Sequence, residues 1–180
     1  MNTVNSFGRK LLLTSAIAAS LISMAQVAEA GGRFRGVHRN AAGGVTAVNG
    51  AAHQGPNGGR FARGRATVTD GQGNGATISG GAFETPSGAK GARAGGTTVN
   101  ADGTVNHQSG FAASGAKGSV ESQGGTTRNA DGTYAGGHTT TATGANGSAT
   151  SNSNWDSTNG YSRSVTCTDT AGNTVACPTR

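Results

Sequence analysis

A ten-residue segment, Gly95-Gly96-Thr97-Thr98-Val99-Asn100-Ala101-Asp102-Gly103-Thr104, returns 29 residues later as Gly124-Gly125-Thr126-Thr127-Arg128-Asn129-Ala130-Asp131-Gly132-Thr133. One position of the ten differs, so the two segments are copies of one unit. A second motif alternates with the first: Ser87-Gly88-Ala89-Lys90-Gly91, Ser114-Gly115-Ala116-Lys117-Gly118 and Thr143-Gly144-Ala145-Asn146-Gly147. Degenerate versions reach upstream at Pro56-Asn57-Gly58-Gly59 and Asp70-Gly71. An internal repeat of this kind decides the architecture before any local reading does.

Each motif carries turn chemistry. Asn100 suits the first position of a type I turn, and Gly103 accepts the left-handed backbone that closes a three-residue hairpin loop with a bulge. Asn129, Asp131 and Gly132 repeat the pattern of Asn100, Asp102 and Gly103, and Gly115-Ala116-Lys117-Gly118 is expected to turn in the same way. Turns are expected near residues 57, 71, 89, 102, 117, 131, 146, 159 and 172, which leaves strands of about nine to eleven residues. A loop at Ala101-Asp102-Gly103 puts Val99 across from Val105, and its copy puts Arg128 across from Tyr134. The intervening Thr, Val, Ser and aromatic residues favour extended backbone, and no 3.6-residue apolar spacing appears after the first thirty residues.

The expected fold is therefore all-β, a repetitive antiparallel meander with two strands per 29-residue repeat. A β-solenoid with one coil per repeat and a largely disordered glycine-rich chain are the alternatives. Composition makes the second of these a serious one. Beyond Ala30 there is no Leu or Met, one Ile (Ile78), and otherwise nine Val, four Phe, two Tyr and Trp155. Ordering a residue costs on the order of 1.5 kcal/mol, and so few large apolar side chains cannot offset that through an ordinary compact core. A sheet with small side chains on both faces also has loosely specified register and open edges, so it should seek another sheet to pair with or stack on.

Before the repeats, Arg9 and Lys10 precede an apolar run from Leu11 to Ile22, and Ala28-Glu29-Ala30 forms a small-x-small site. That order reads as a secretory signal helix that is cleaved, and the run falls short of the roughly 20 residues of a membrane span. The organisation expected is a signal over 1–30, a flexible basic arm over 31–55, the repeat region over 56–150, and a terminal hairpin cap over 151–180. The mature form carries no expected membrane anchor. The periplasm, outer surface or surroundings of a Gram-negative-type bacterium are the expected location.

In such a compartment Cys167 and Cys177 are expected to be bonded, directly opposed across a loop at Ala171-Gly172-Asn173. With Trp155, Tyr161 and Val165, this end is expected to be the best-packed part. His38, His53, His107 and His138 are too scattered for a metal signature, and Asp102 and Asp131 fit turns better than a calcium repeat, which needs Gly and Asp where Thr98 and Asn100 stand. No phosphate loop or nucleophile elbow is present, so no cofactor and no catalytic residue is expected.

The basic residues crowd toward the front of the mature chain. Arg33, Arg35, Arg39, Arg60, Arg63 and Arg65 are the candidate anion-binding set, with Lys90 and Arg93 beyond them and only Asp70 and Glu84 against them. Anionic cell-surface polymers are possible partners. Nucleic acid has thin support, since only Phe34 and Phe61 are interleaved as stacking platforms. In its export signal, short repeats and richness in Gly, Ser, Asn and Gln, the chain resembles curli-type amyloid subunits. It departs from them because Gln54, Gln72, Gln108 and Gln123 do not recur at one repeat position. The expected function is structural, in surface, matrix or biofilm material, through self-association. The alternative is an exported binding module that attaches to anionic glycan, lipid headgroup or nucleic acid by its basic arm.

Overall fold

The computed structural model describes residues 31–41 and 43–178. The export signal expected over 1–30 lies outside the described residues. Eleven strands follow one another: β1 (Gly32–Arg39), β2 (Val45–Gln54), β3 (Arg60–Thr69), β4 (Gly75–Glu84), β5 (Lys90–Val99), β6 (Val105–Gly115), β7 (Gly118–Arg128), β8 (Tyr134–Gly144), β9 (Gly147–Asp156), β10 (Gly160–Thr168) and β11 (Thr174–Val175). They form one antiparallel sheet whose spatial order is the chain order, without a crossover. The protein is all-β, and the meander rather than the solenoid is its topology.

The turns explain why. Asn100 N–H donates to the Thr104 carbonyl at 2.9 Å and Gly103 N–H to the Asn100 carbonyl at 2.9 Å, with Gly103 at φ 89°. Asn129, Gly132 and Thr133 repeat the arrangement at 2.8 and 3.0 Å, and Gly132 has φ 89°. Both are the three-residue loop with a glycine bulge that the sequence predicts. The register follows, with Val99 opposite Val105 and Arg128 opposite Tyr134.

Two loops are tighter than expected. Ala116-Lys117 and Ala145-Asn146 are two-residue connections closed by the pairs Gly115–Gly118 and Gly144–Gly147. Each loop closes on a glycine with positive φ, Gly118 at 139° and Gly147 at 124°, where a side chain would also stand 2.0 Å from a carbonyl oxygen of the following strand, Thr143 and Thr168 respectively.

The segment 31–55, expected as a flexible arm, forms β1 and β2 instead. Asn40 organises their turn, accepting from Gly44 N–H at 3.0 Å through its side-chain oxygen and donating through Nδ2 to the Thr69 carbonyl at 2.7 Å. It thereby ties the first hairpin to β3, so the repeat reaches farther upstream than its legible copies.

No second layer covers this sheet among the described residues. Ala62 and Cys167 are the buried apolar side chains, while Phe34, Phe61, Phe83, Phe111, Tyr134 and Tyr161 are all exposed. What holds the sheet together is the backbone ladder, supplemented by side-chain hydrogen bonds between neighbouring strands such as Thr67–Thr77 at 2.9 Å and Thr141–Thr150 at 3.0 Å. The C-terminal part holds the buried Cys167, 6% exposed, while Val165 and Tyr161 of the same strand are 48% and 65% exposed. Cys167 and Cys177 are bonded, with Cα atoms 5.3 Å apart.

Candidate functional surfaces

In an antiparallel sheet directly paired residues point to the same side, and residues two apart along a strand share a face. The register therefore sorts every strand residue onto one of two faces, and the charges are not shared evenly. One face receives Arg33, Arg35 and Arg39 of β1, Arg63 and Arg65 of β3, Arg93 of β5, Arg128 of β7 and Arg163 of β10. All of these are exposed. No strand carboxylate stands on that side: Glu84, Glu121 and Asp156 all register on the other face.

Within the arginine face the cluster is densest over β1–β5. One row across the strands reads Arg33, Ala51, Arg63, Gly81, Arg93, and the next reads Arg35, Asn49, Arg65, Ser79, Gly95. Arginines thus occupy alternate strands with small or neutral residues between them, which separates like charges by about 10 Å, twice the strand spacing. A shallow concavity of about 640 Å³ lies over Arg33, Arg35, Arg63, Arg65 and Arg93. Of the six residues expected, Arg33, Arg35, Arg39, Arg63 and Arg65 share this face, and all of these but Arg39 line the concavity. Arg60 registers on the opposite face, where its Nε donates to Glu84 Oε2 at 2.9 Å.

Arg93, Arg128 and Arg163 are the face members absent from the sequence-derived candidates. Their signal is parity: once the turn register is fixed, they fall in step with the Arg-x-Arg pairs of β1 and β3.

The opposite face is small and nearly neutral over the same strands. Its central rows read Ala52, Ala62, Ala82, Ala92, Ala112 and Gly50, Gly64, Gly80, Ala94, Gly110 from β2 to β6. A trough of about 330 Å³ runs along the alanine row, bordered by Arg60, Glu84 and Lys90.

The histidines do not converge. His107 Nδ1 meets Thr97 Oγ1 at 2.8 Å and His138 Nε2 meets Ser122 Oγ at 2.7 Å, both on the arginine face. The serine–histidine contact has no carboxylate on its face to orient the ring, so it is a cross-strand hydrogen bond. Among the described residues no cluster of three or more His, Cys, Asp or Glu could hold a metal ion.

The aspartates of the turns act as caps. Asp102 Oδ1 accepts from Thr104 N–H at 2.8 Å, Asp131 Oδ1 from the Thr133 hydroxyl at 2.6 Å, and Asp70 Oδ2 from Asn74 Nδ2 at 2.6 Å. These bonds hold the carboxyls below their ordinary value. The backbone N–H of Thr104 is the main cause at Asp102, the Thr133 side chain at Asp131, and the Asn74 side chain at Asp70.

Fold and faces together define a single-layer antiparallel β-repeat protein with one basic and one small-residue face. No family model, curated protein or solved structure matches the chain.

Proposed function

We propose that this is a non-catalytic, exported structural protein that acts in surface, matrix or biofilm material by self-association, with its small-residue face as the stacking surface. The observation that carries the reading is an eleven-stranded sheet with neither face covered among the described residues. On the small-residue face Phe34, Val68 and Ile78 are exposed, and these gain by burial against a second layer.

Charge selects the face. Stacking two arginine faces would bring cations together without a strand carboxylate to offset them, whereas the other side carries Arg60 and Lys90 beside Glu84 and Glu121. The small-residue stretch over β2–β6 measures roughly 24 by 33 Å from standard strand spacing and rise. That is about the 800 Å² per partner of an ordinary stable interface. Edge addition is the weaker route, because β1 and the part of β10 that the two-residue β11 does not cover carry Arg33, Arg35, Arg39 and Arg163, and charged edges oppose strand pairing. The Cys167–Cys177 bond favours an oxidising compartment and so supports export.

The test is light scattering with far-ultraviolet circular dichroism on the parent chain and on Ala82→Lys and Ala92→Lys. The reading requires particles that grow with concentration in the parent while the β spectrum persists, and stable monomers in the variants. A parent that stays monomeric at all concentrations overturns it.

A further inference from the structure

We propose that the arginine face over β1–β5 is a binding site for an extended acidic polysaccharide of the polyuronate class. This goes beyond self-association and does not depend on it, since the two roles use opposite faces. Three observations carry it.

The first is the absence of internal compensation. Arg33, Arg35, Arg63, Arg65 and Arg93 are exposed and none makes a salt bridge among the described residues, where the one such pair is Arg60–Glu84 on the other side. Their charge is available to a partner.

The second is geometry. The guanidinium roots form a lattice two rows deep, about 10 Å apart across the strands and about 7 Å apart along them. It lies over an open concavity of about 640 Å³. A thin, linear anion can run along such a row and meet a fork at every second strand. Guanidinium matches carboxylate geometry with two parallel hydrogen bonds. Ala51 and Gly81 between the arginines leave room for the chain, while Asn49 and Ser79 in the neighbouring row offer hydrogen bonds to sugar hydroxyls.

The third observation separates glycan from nucleic acid. Sequence readout of a duplex needs an element that enters a groove, and single strands are held by stacking on aromatic rings. Beside the arginines in the two rows stand Ala51, Gly81, Asn49 and Ser79, whereas the exposed rings on this face, the Phe61–Phe83 pair and Phe111, border the lattice and do not alternate with its arginines as a stacking track would. Phe34, the aromatic between Arg33 and Arg35, registers on the other face, where its ring lies over Gly50.

The experiment measures binding of the full chain to polygalacturonate, with neutral dextran and DNA, duplex and single-stranded, for comparison. Binding is expected to weaken at least about tenfold between roughly 50 and 200 mM salt, as ionic contacts are screened and counterions cease to be released. Arg33→Gln/Arg63→Gln/Arg93→Gln is expected to lose about tenfold or more at low salt, whereas Arg128→Gln/Arg163→Gln, on the same face but outside the lattice, binds within about threefold of the parent. If the triple variant loses its β spectrum, Arg63→Gln alone serves and is expected to lower the affinity and flatten the salt dependence. The proposal is overturned if polygalacturonate does not bind at low salt, if the folded lattice variant binds like the parent, or if DNA of equal charge, duplex or single-stranded, binds more tightly than the polyuronate. Scattering without polysaccharide reports on stacking separately, so failure of one reading leaves the other measurable.

Discussion

Cys167 and Cys177 are bonded although they are not cross-strand partners: Cys167 pairs with Val175, and Cys177 lies two residues beyond the end of β11. The loop closes one residue earlier than expected because Asp169 takes the capping position. Its Oδ1 accepts from Ala171 N–H and Asn173 N–H, both at 2.9 Å, which makes Asp169–Asn173 the closing pair and Thr170-Ala171-Gly172 the loop.

Replacing Cys177 by Ser is expected to cost the terminal hairpin about 3 kcal/mol, the loop-closure value for a ring of this size. The loss should stay local. Hydrogen exchange is the measurement: protection should fall in β10 and β11 and stay at parent levels from β1 to β8, because each strand contacts only the strands before and after it.

Glycines with left-handed backbone divide into two classes of sensitivity. Gly103→Ala and Gly132→Ala place a side chain in open space but at φ 89°, and each is expected to cost about 1–2 kcal/mol. Gly118→Ala adds a collision with the Thr143 carbonyl and should destabilise more than either. Denaturant unfolding of the three variants gives the order.

Acid should loosen the turns before the strands. The carboxyls of Asp70, Asp102, Asp131, Asp156 and Asp169 are all held below the ordinary value of 3.8 by hydrogen bonds from their own turns. A depressed folded value means their contribution is complete above 3.8 and is lost as pH falls through the lowered values, so the sign is destabilisation in acid. Exchange rates of Thr104 and Thr133 amides, followed below about pH 4, should rise earlier than those of mid-strand amides. Asp102→Asn should remove that pH dependence at Thr104 alone.

The Arg60–Glu84 pair is about 40% exposed on both sides, and solvent screens it. Glu84→Gln is expected to change stability by no more than about 1 kcal/mol. A larger change on unfolding would mean that Arg60 is held by more than this pair.

Much of the fold was legible in the sequence because its turns are chemically explicit. Asn100, Asp102 and Gly103 specify a loop type, the loop type specifies register, and register gives Val99–Val105 without further information. The first hairpin was not legible, because Asn40 makes its turn by reaching across to Thr69, a partner distant in sequence, and its glycines stand at other positions than in the later copies. The terminal register was missed for a related reason. Asn173 resembles a loop residue, and only the Asp169 side chain decides that it closes the hairpin. The basic cluster was visible as charge but not as a face. Face membership depends on which loops hold two residues and which hold three, since one residue more or less turns every later side chain over. Arg128 illustrates this: the two-residue loop at Ala116-Lys117 is what brings it to the side of Arg93, whereas Arg60, three residues from Arg63 on one strand, is turned over by strand alternation alone.

The consecutive strand order makes length a free variable of this molecule. The two near-identical segments, Gly95–Thr104 and Gly124–Thr133, occupy equivalent places on strands β5 and β7 and their turns. Recombination between them would excise one hairpin of 29 residues. Val99 would then face Tyr134 across an unchanged Ala101-Asp102-Gly103 loop, with both residues still on their original side. Duplication by the same route would insert a hairpin just as neutrally. A lineage carrying this gene can widen or narrow the sheet in steps of two strands without solving a new folding problem.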